Sequence, residues 1–184
     1  MPKPHQEPNQ ISTRERLLLS SLKAFGHRDY DAVSTREIVA DAGVNISAIS
    51  YHFGGKEQLY LATAEYLAET LRAGLQDQLT QILAVAEQTD AVTCRSLLTK
   101  FINSLVDSLL WGELSGDAAG FIFREQNHPT AAFDILYQQL MLPLQNTYAT
   151  LLSRITGRTV DNRQTKLLTH ALMGQIIGFR MAQT

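Results

Sequence analysis

Residues 34 to 56 read Ser-Thr-Arg-Glu-Ile-Val-Ala-Asp-Ala-Gly-Val-Asn-Ile-Ser-Ala-Ile-Ser-Tyr-His-Phe-Gly-Gly-Lys, and no other stretch limits the fold so tightly. Ser34 and Glu37 stand three apart. They form a capping box, in which each side chain serves an open backbone N–H of a helix start. Ile38, Val39 and Ala42 supply the buried side of that helix. Gly43 follows at once, where a left-handed C-cap residue costs least. Val44 is an apolar plug after the turn. Asn45 or Ser47 caps a second short helix, whose inner side is Ile46, Ile49 and Phe53 at steps of three and four. Gly54-Gly55 stops that helix, and Lys56-Glu57 opens another. A short capped helix, a glycine turn and a second short helix together make a helix-turn-helix.

The outer side of the second helix carries Ser47, Ala48, Ser50, Tyr51 and His52. Small residues, hydroxyls, one phenol and one imidazole suit close approach to base edges and phosphates. Thr35, Arg36 and Asn45 flank this surface, and Lys56 stands where a cation meets a phosphate. The expectation is a DNA-reading surface made of these nine residues. The alternative is that Tyr51 and His52 only pack a small helical domain and that Lys56 is a solvated surface lysine.

Here the chain resembles the TetR family of transcriptional regulators. Their DNA-binding module has an aromatic near the end of its first helix, then Thr-x-x-Ile-Ala-x-x-Ala-Gly-Val. A short recognition helix ending in Tyr/His-Phe follows, then x-x-Lys-x-x-Leu. Phe25, Thr35, Ile38, Ala42-Gly43-Val44, His52-Phe53, Lys56 and Leu59 stand at those places, over roughly residues 13 to 60. Ile49-Ser50 stands where Leu-Tyr is common, so the tyrosine comes one place later, as Tyr51. Ser47 stands where Gly, Ala or Pro is common. Both departures bear on which bases are read. The segment Arg124-Glu125-Gln126-x-x-Pro129-Thr130-Ala131-Ala132-Phe133 resembles a C-terminal domain of one subgroup of these regulators. The resemblance implies a homodimer on double-stranded DNA, an unidentified small-molecule effector and repression released by that effector. Regulators of this family commonly have one more helix after the place where Thr184 stands.

Length and charge are consistent with this. The 184 residues suffice to bury one or two small cores, and 45% hydrophobic content is that of a globular chain. The net charge is −2, and up to residue 60 cations and anions balance at seven each. Attraction to DNA must then come from local placement of Arg14, Arg16, Lys23, Arg28, Arg36 and Lys56, with the acids turned elsewhere. One cysteine, Cys94, excludes an intrachain disulfide framework and fits a reducing cytoplasm. No apolar run is as long as a membrane span, and the N-terminus lacks the apolar core of a signal peptide. The histidines lack metal-ligand spacing, no Gly-x-Ser-x-Gly elbow or phosphate loop occurs, and no cofactor is implied. The expectation is a cytoplasmic regulator and not an enzyme.

The periodicity predicts an all-α fold, with no strand pattern of period two anywhere. Residues 1–11 are a flexible arm with three prolines. Residues 12–56 form a three-helix DNA-binding module, its first helix capped by Ser12 or Thr13 and packed through Leu18, Leu22 and Phe25. Residues 57–184 form a larger helical domain for effector binding and dimerisation. Its first helix begins near Lys56, carries Leu67, Leu71, Leu75, Leu79 and Leu83 every four residues, and has a possible break at Gly74. Further helices run over 93–111, 115–126, 129–155 with an interruption or bend at Pro143, and 162–181. Gly157 ends the fourth of these five.

Within the second domain, Phe101, Trp111, Phe121, Arg124, Tyr137, Met141 and Met173 are the candidate effector-binding residues. Large aromatic and Met side chains in a bundle make a pocket plausible. Arg124 with Glu125 has a second reading, a structural ion pair tying helices together. Ala171, Gly174, Gly178 and Met181 are the candidate dimer interface, because small residues on one face let another helix approach. Close packing within one subunit is the other reading of that face. An effector-independent architectural DNA-binding protein is the alternative function.

Overall fold

The computed structural model describes residues 11–86, 88–111 and 115–181, and their side chains except at 109–111, 115, 176, 177 and 179–181. Nine α-helices lie among the described residues, and no strand. They are α1 (Thr13–His27), α2 (Thr35–Ala42), α3 (Ser47–Phe53), α4 (Lys56–Ala86), α5 (Ala91–Trp111), α6 (Ser115–Asn127), α7 (Ala131–Leu136), α8 (Leu142–Thr156) and α9 (Arg163–Met181). A 3-10 turn at Tyr30–Ala32 lies between α1 and α2, and a π-helical turn at Tyr137–Met141 joins α7 to α8.

The first three helices form where local chemistry puts them. Ser12 Oγ accepts the Glu15 N–H at 3.1 Å and caps α1. The capping box of α2 is complete: Ser34 Oγ accepts from Glu37 N at 3.2 Å, and Glu37 Oε2 accepts from Ser34 N at 3.1 Å. Gly43 ends α2 at φ 62°, and Gly54 ends α3 at φ 86°, both in the left-handed region that a β-carbon disfavours. Of the two candidate caps for α3, Asn45 holds the start, since its Oδ1 accepts from both Ser47 N and Ser47 Oγ. The helix begins at Ser47, so Ile46 falls outside its register and is exposed, contrary to its expected place on the inner side. Ile49 alone is fully buried there, with Phe53 half-buried. Leu17, Leu18, Leu22 and Phe25 of α1 close the core of this module against Ile38, Ile49 and Leu59.

Helix α4 runs unbroken through Gly74, which is exposed with open space around it. Gly costs a helix interior about 1 kcal/mol, too little to break a ladder of this length. The leucine repeat also ends differently from its expectation. Leu67, Leu75 and Leu79 are buried and Leu71 half-buried, but Leu83 is exposed, and Ile82 and Ala86 carry the inner face instead. Each four-residue step overshoots a 3.6-residue turn by about 40°, so a strict repeat drifts off the buried side.

Pro143 is the second residue of α8, which continues directly from the π-helical turn, so its missing N–H removes one donor from the helical ladder. The irregularity expected at the proline falls just before it. A proline ring clashes with the carbonyl four residues back, and the π-helical turn over Tyr137–Met141 relieves that crowding. The core of the second half centres on Phe101 and Tyr148, whose ring centroids lie 5.0 Å apart. Cys94 is buried, and burial pushes its thiol above the ordinary range. No described helix is long and apolar enough to cross a membrane.

The two halves meet through an aromatic cluster. Tyr60 of α4 stands edge-on to Phe25 at 4.7 Å and to Tyr30 at 5.1 Å, and packs on Phe121 of α6 at 5.0 Å. Helix α6 lies directly on α1 at this place.

Candidate nucleic-acid interface and effector cavity

Helix α3 presents its polar side outward because Ile49 pins the opposite side into the core. Ser47, Ser50 and His52 are exposed, and Tyr51 is 84% exposed, its ring edge-on to that of His52 at 4.9 Å. Arg36 and Asn45 are exposed beside them, although the Asn45 carboxamide oxygen is engaged at the α3 start. Thr35 is half-buried. Ala48 is also half-buried and packs against the core, because it precedes Ile49 on the flank of a seven-residue helix.

The cations sort into two groups. Lys23 pairs with Asp41 at 2.7 Å and Arg28 with Glu37 at 3.1 Å, so these two are neutralised by acids on α2, contrary to the expectation that the acids turn elsewhere. The Lys23 ammonium holds the Asp41 carboxyl below the usual range, and the Arg28 guanidinium does the same to Glu37. Arg14, Arg16 and Arg36 make no ion pair among the described residues. Arg14 lies over the Phe53 ring at 5.3 Å. Lys56, expected to face a phosphate, donates to the Tyr30 carbonyl at 2.6 Å and sits 4.2 Å from the Tyr30 ring centroid. Its ammonium thus ties the first turn of α4 to the 3-10 turn, leaving its remaining N–H donors for any other contact.

Arg124 and Glu125 do not pair with each other. Arg124 donates to the carbonyls of Phe25 and Gly26, each at 3.2 Å, and to Asp29 Oδ1 at 2.7 Å. It caps the C-terminal end of α1, where carbonyls lack helical partners. Glu125 is 1% exposed and accepts from the Tyr60 hydroxyl, from Thr130 N at 3.0 Å and from the Thr130 hydroxyl. The expected ion pair between the two is therefore absent, and each instead ties α6 to other elements: Arg124 to the end of α1 and Asp29, Glu125 to α4 and the N-cap of α7. As an effector-binding residue, Arg124 is misplaced: its guanidinium faces α1.

A cavity of about 170 Å³ opens between α4, α5, α6, α9 and the π-helical turn running into α8. Of the candidate effector-binding residues, Met141 and Met173 line it. Phe101, Phe121 and Tyr137 do not. Phe101 and Phe121 are fully buried against Tyr148 and Tyr60, and Tyr137 stacks on Phe133 at 6.0 Å. Large rings serve the tightest packing first, which leaves aliphatic chains around the space. The side chain of Trp111 lies outside those described. Leu75, Leu105, Ile122, Gln126, Gln145 and His170 line the cavity and were missed. Gln126 sits in the Arg-Glu-Gln segment already singled out, but aliphatic and amide residues carry no signal that separates a lining from a core.

On α9, Ala171, Gly174 and Gly178 are exposed, and a β-carbon on either glycine would meet nothing within 4 Å. Leu167, 57% exposed, continues the same stripe at i−4 from Ala171. Gly174 also borders the cavity, while Ala171 and Gly178 lie on the open side of α9. The side chain of Met181 lies outside those described. Among the described residues no three His, Cys, Asp or Glu are placed to hold a metal ion.

Two family models match. The one described as bacterial regulatory proteins, tetR family, matches residues 17–63, and the HTH-type transcriptional dual regulator CecR, C-terminal domain, matches residues 94–184. The HTH-type transcriptional dual regulator CecR of Shigella flexneri is 34% identical over 172 residues, which cover 92% of this chain and 76% of that protein. The HTH-type transcriptional regulator BetI of Agrobacterium fabrum is 31% identical over 103 residues, 50% of this chain and 48% of its own. In fold, the chain is similar to a TetR transcriptional regulator from Legionella pneumophila, at TM-score 0.66 and 19% identity, over 95% of this chain and 88% of that one. It is also similar to a regulator from Saccharomonospora viridis solved in complex with choline, at TM-score 0.61 and 17% identity, over 94% and 85%.

Proposed function

This chain belongs to the TetR family of bacterial transcriptional regulators, and from that premise we propose that it is a homodimeric, sequence-specific repressor released from its operator by a small molecule. Residues 12–56 are the DNA-binding unit in this reading, and residues 57–184 bind the effector and the second subunit. The observation that carries it is α3, a short helix fixed by buried Ile49 and ended by Gly54, with Ser47, Ser50, Tyr51 and His52 all turned outward.

Each subunit lays α3 in a major groove, and Arg14, Arg16 and Arg36 meet phosphates. One reading helix makes too little contact for tight specific binding, so a second subunit supplies the other half-site, about 34–36 Å away. The open stripe of Leu167, Ala171, Gly174 and Gly178 on α9 is the seam in this reading.

A ligand in the cavity acts only if it binds the DNA-incompetent arrangement more tightly, since equal affinity shifts nothing. Helix α4 spans from the DNA module to the cavity wall. Helix α6 offers a shorter route, because Ile122 and Gln126 line the cavity while Arg124 and Glu125 hold α1 and Tyr60. The cavity supports this reading over an effector-independent architectural role.

Selection of bound sequences from random DNA tests the proposal, run beside measurement of the mass of the protein–DNA complex. The expected result is a near-palindromic site bound by two chains. Tight binding by a monomer, or no sequence preference, would overturn it.

A further inference from the structure

We propose that the cavity takes an uncharged ligand with an apolar body about one ring in size and a single hydrogen-bonding head read by Gln126. This rests on the reading of the chain as ligand-responsive. The cavity has two unlike ends. Its floor is aliphatic: Leu75, Leu105, Ile122, Leu140 and Leu144 are each no more than 7% exposed. Its mouth is polar: Gln126 and His170 are exposed, with Gln145 and Ser108 half-buried beside them.

Volume limits the body. About 170 Å³ is close to the roughly 150 Å³ that accommodates benzene in an apolar engineered cavity of another protein. Met141 and Met173 are adaptable enough to admit a methyl or a fused ring edge.

Charge limits the class. No Asp, Glu, Lys or Arg lines the cavity among the described residues, so an ion on the aliphatic floor would lose its hydration without a counter-charge. No Phe, Tyr or Trp side chain lines it among the described residues either, and the one imidazole, His170, stands at the mouth, so a quaternary ammonium such as choline finds no cage of π-faces. The Gln126 carboxamide offers both donors and an acceptor, and so matches a hydroxyl in either direction.

The probes are p-cresol, toluene, 4-methylbenzoate and choline, titrated calorimetrically into the full chain and into Gln126→Leu. Gln126 is exposed, so its replacement leaves the core intact, and the melting temperature of the variant checks this. The expected order is p-cresol tightest, toluene weaker, and both ions at least about tenfold weaker than p-cresol. Gln126→Leu weakens p-cresol by about fivefold, the worth of one hydrogen bond, and leaves toluene within about twofold. Leu75→Trp fills the floor and abolishes binding of both neutral probes. An ion that binds as tightly as p-cresol would overturn the proposal. So would an unchanged p-cresol affinity in Gln126→Leu, or heat from none of the probes. Operator binding by the unliganded chain is measured in parallel. Intact operator binding with no probe bound defeats this inference alone, whereas absent DNA binding defeats the function proposed above.

Discussion

Gly120 meets Gly26 backbone to backbone: a β-carbon on Gly120 would fall 2.1 Å from the Gly26 carbonyl oxygen. The approach is mutual, since a β-carbon on Gly26 would fall 2.5 Å from the Asp117 carbonyl oxygen. Arg124 and the His27–Asp117 pair, 2.9 Å apart, lie around this contact. Helix α6, which walls the cavity, thereby touches the end of α1 with no side chain between them.

Gly120→Ala should therefore force α6 away from α1. The expected destabilisation is about 1–3 kcal/mol, the usual range for overpacking, read as a lower urea midpoint. Gly74→Ala is the contrasting substitution. It lies on the open side of α4, and should stabilise by roughly 0.5–1 kcal/mol. Equal effects at the two glycines would contradict the close contact.

Tyr60→Phe should cost about 1–3 kcal/mol, because the buried Glu125 carboxylate loses one of its donors. Glu125→Ala should cost more, since it strands both the Tyr60 hydroxyl and the Thr130 N–H. Because the two residues share one bond, the double variant should be less destabilised than the sum of the singles. Strict additivity in a thermal-unfolding cycle would show that the bond contributes nothing.

Arg36→Ala and Lys56→Ala should separate by stability. Arg36 has no ion pair among the described residues, so its loss weakens all DNA sequences alike, lowers the salt slope by about one unit and leaves the melting temperature unchanged. Lys56→Ala should also lower the melting temperature, because its ammonium is bound to the Tyr30 carbonyl and ring. A Lys56→Ala protein as stable as the parent would remove that structural role.

The ion pairs of the DNA module give stability a dependence on acid. The Glu37 and Asp41 carboxyls titrate lower in the folded chain than in the unfolded one. Their contribution is present above the ordinary carboxylate range and fades as pH falls through it. Lys23 titrates higher when folded, so its share is lost only as pH rises through that raised value. Urea midpoints from about pH 7 to pH 3 should fall, and Arg28→Met should flatten part of the fall. Both pairs are exposed, so the effect is small. A parent and variant with identical pH profiles would exclude the Arg28–Glu37 contribution.

The sequence by itself determined the parts of this protein that depend on neighbours within about four residues. The Ser34–Glu37 box, the glycine stops at 43, 54 and 157, and the outward Ser47, Ser50, Tyr51 and His52 of α3 were legible, because caps, left-handed turns and helical periodicity are short-range physics. Tertiary structure decided the rest. Lys56 found Tyr30 and Arg124 found Asp29, across 26 and 95 residues, and no local pattern marks such partners. The cavity was decided in the same way. Phe101 and Phe121 look like lining by size and hydrophobicity but are consumed by core packing, and Leu75, Leu105 and Gln126 surround the space that remains. Whether an apolar side chain fills a core or borders a void depends on what every neighbouring helix brings to the same place, and that is settled only when the helices pack.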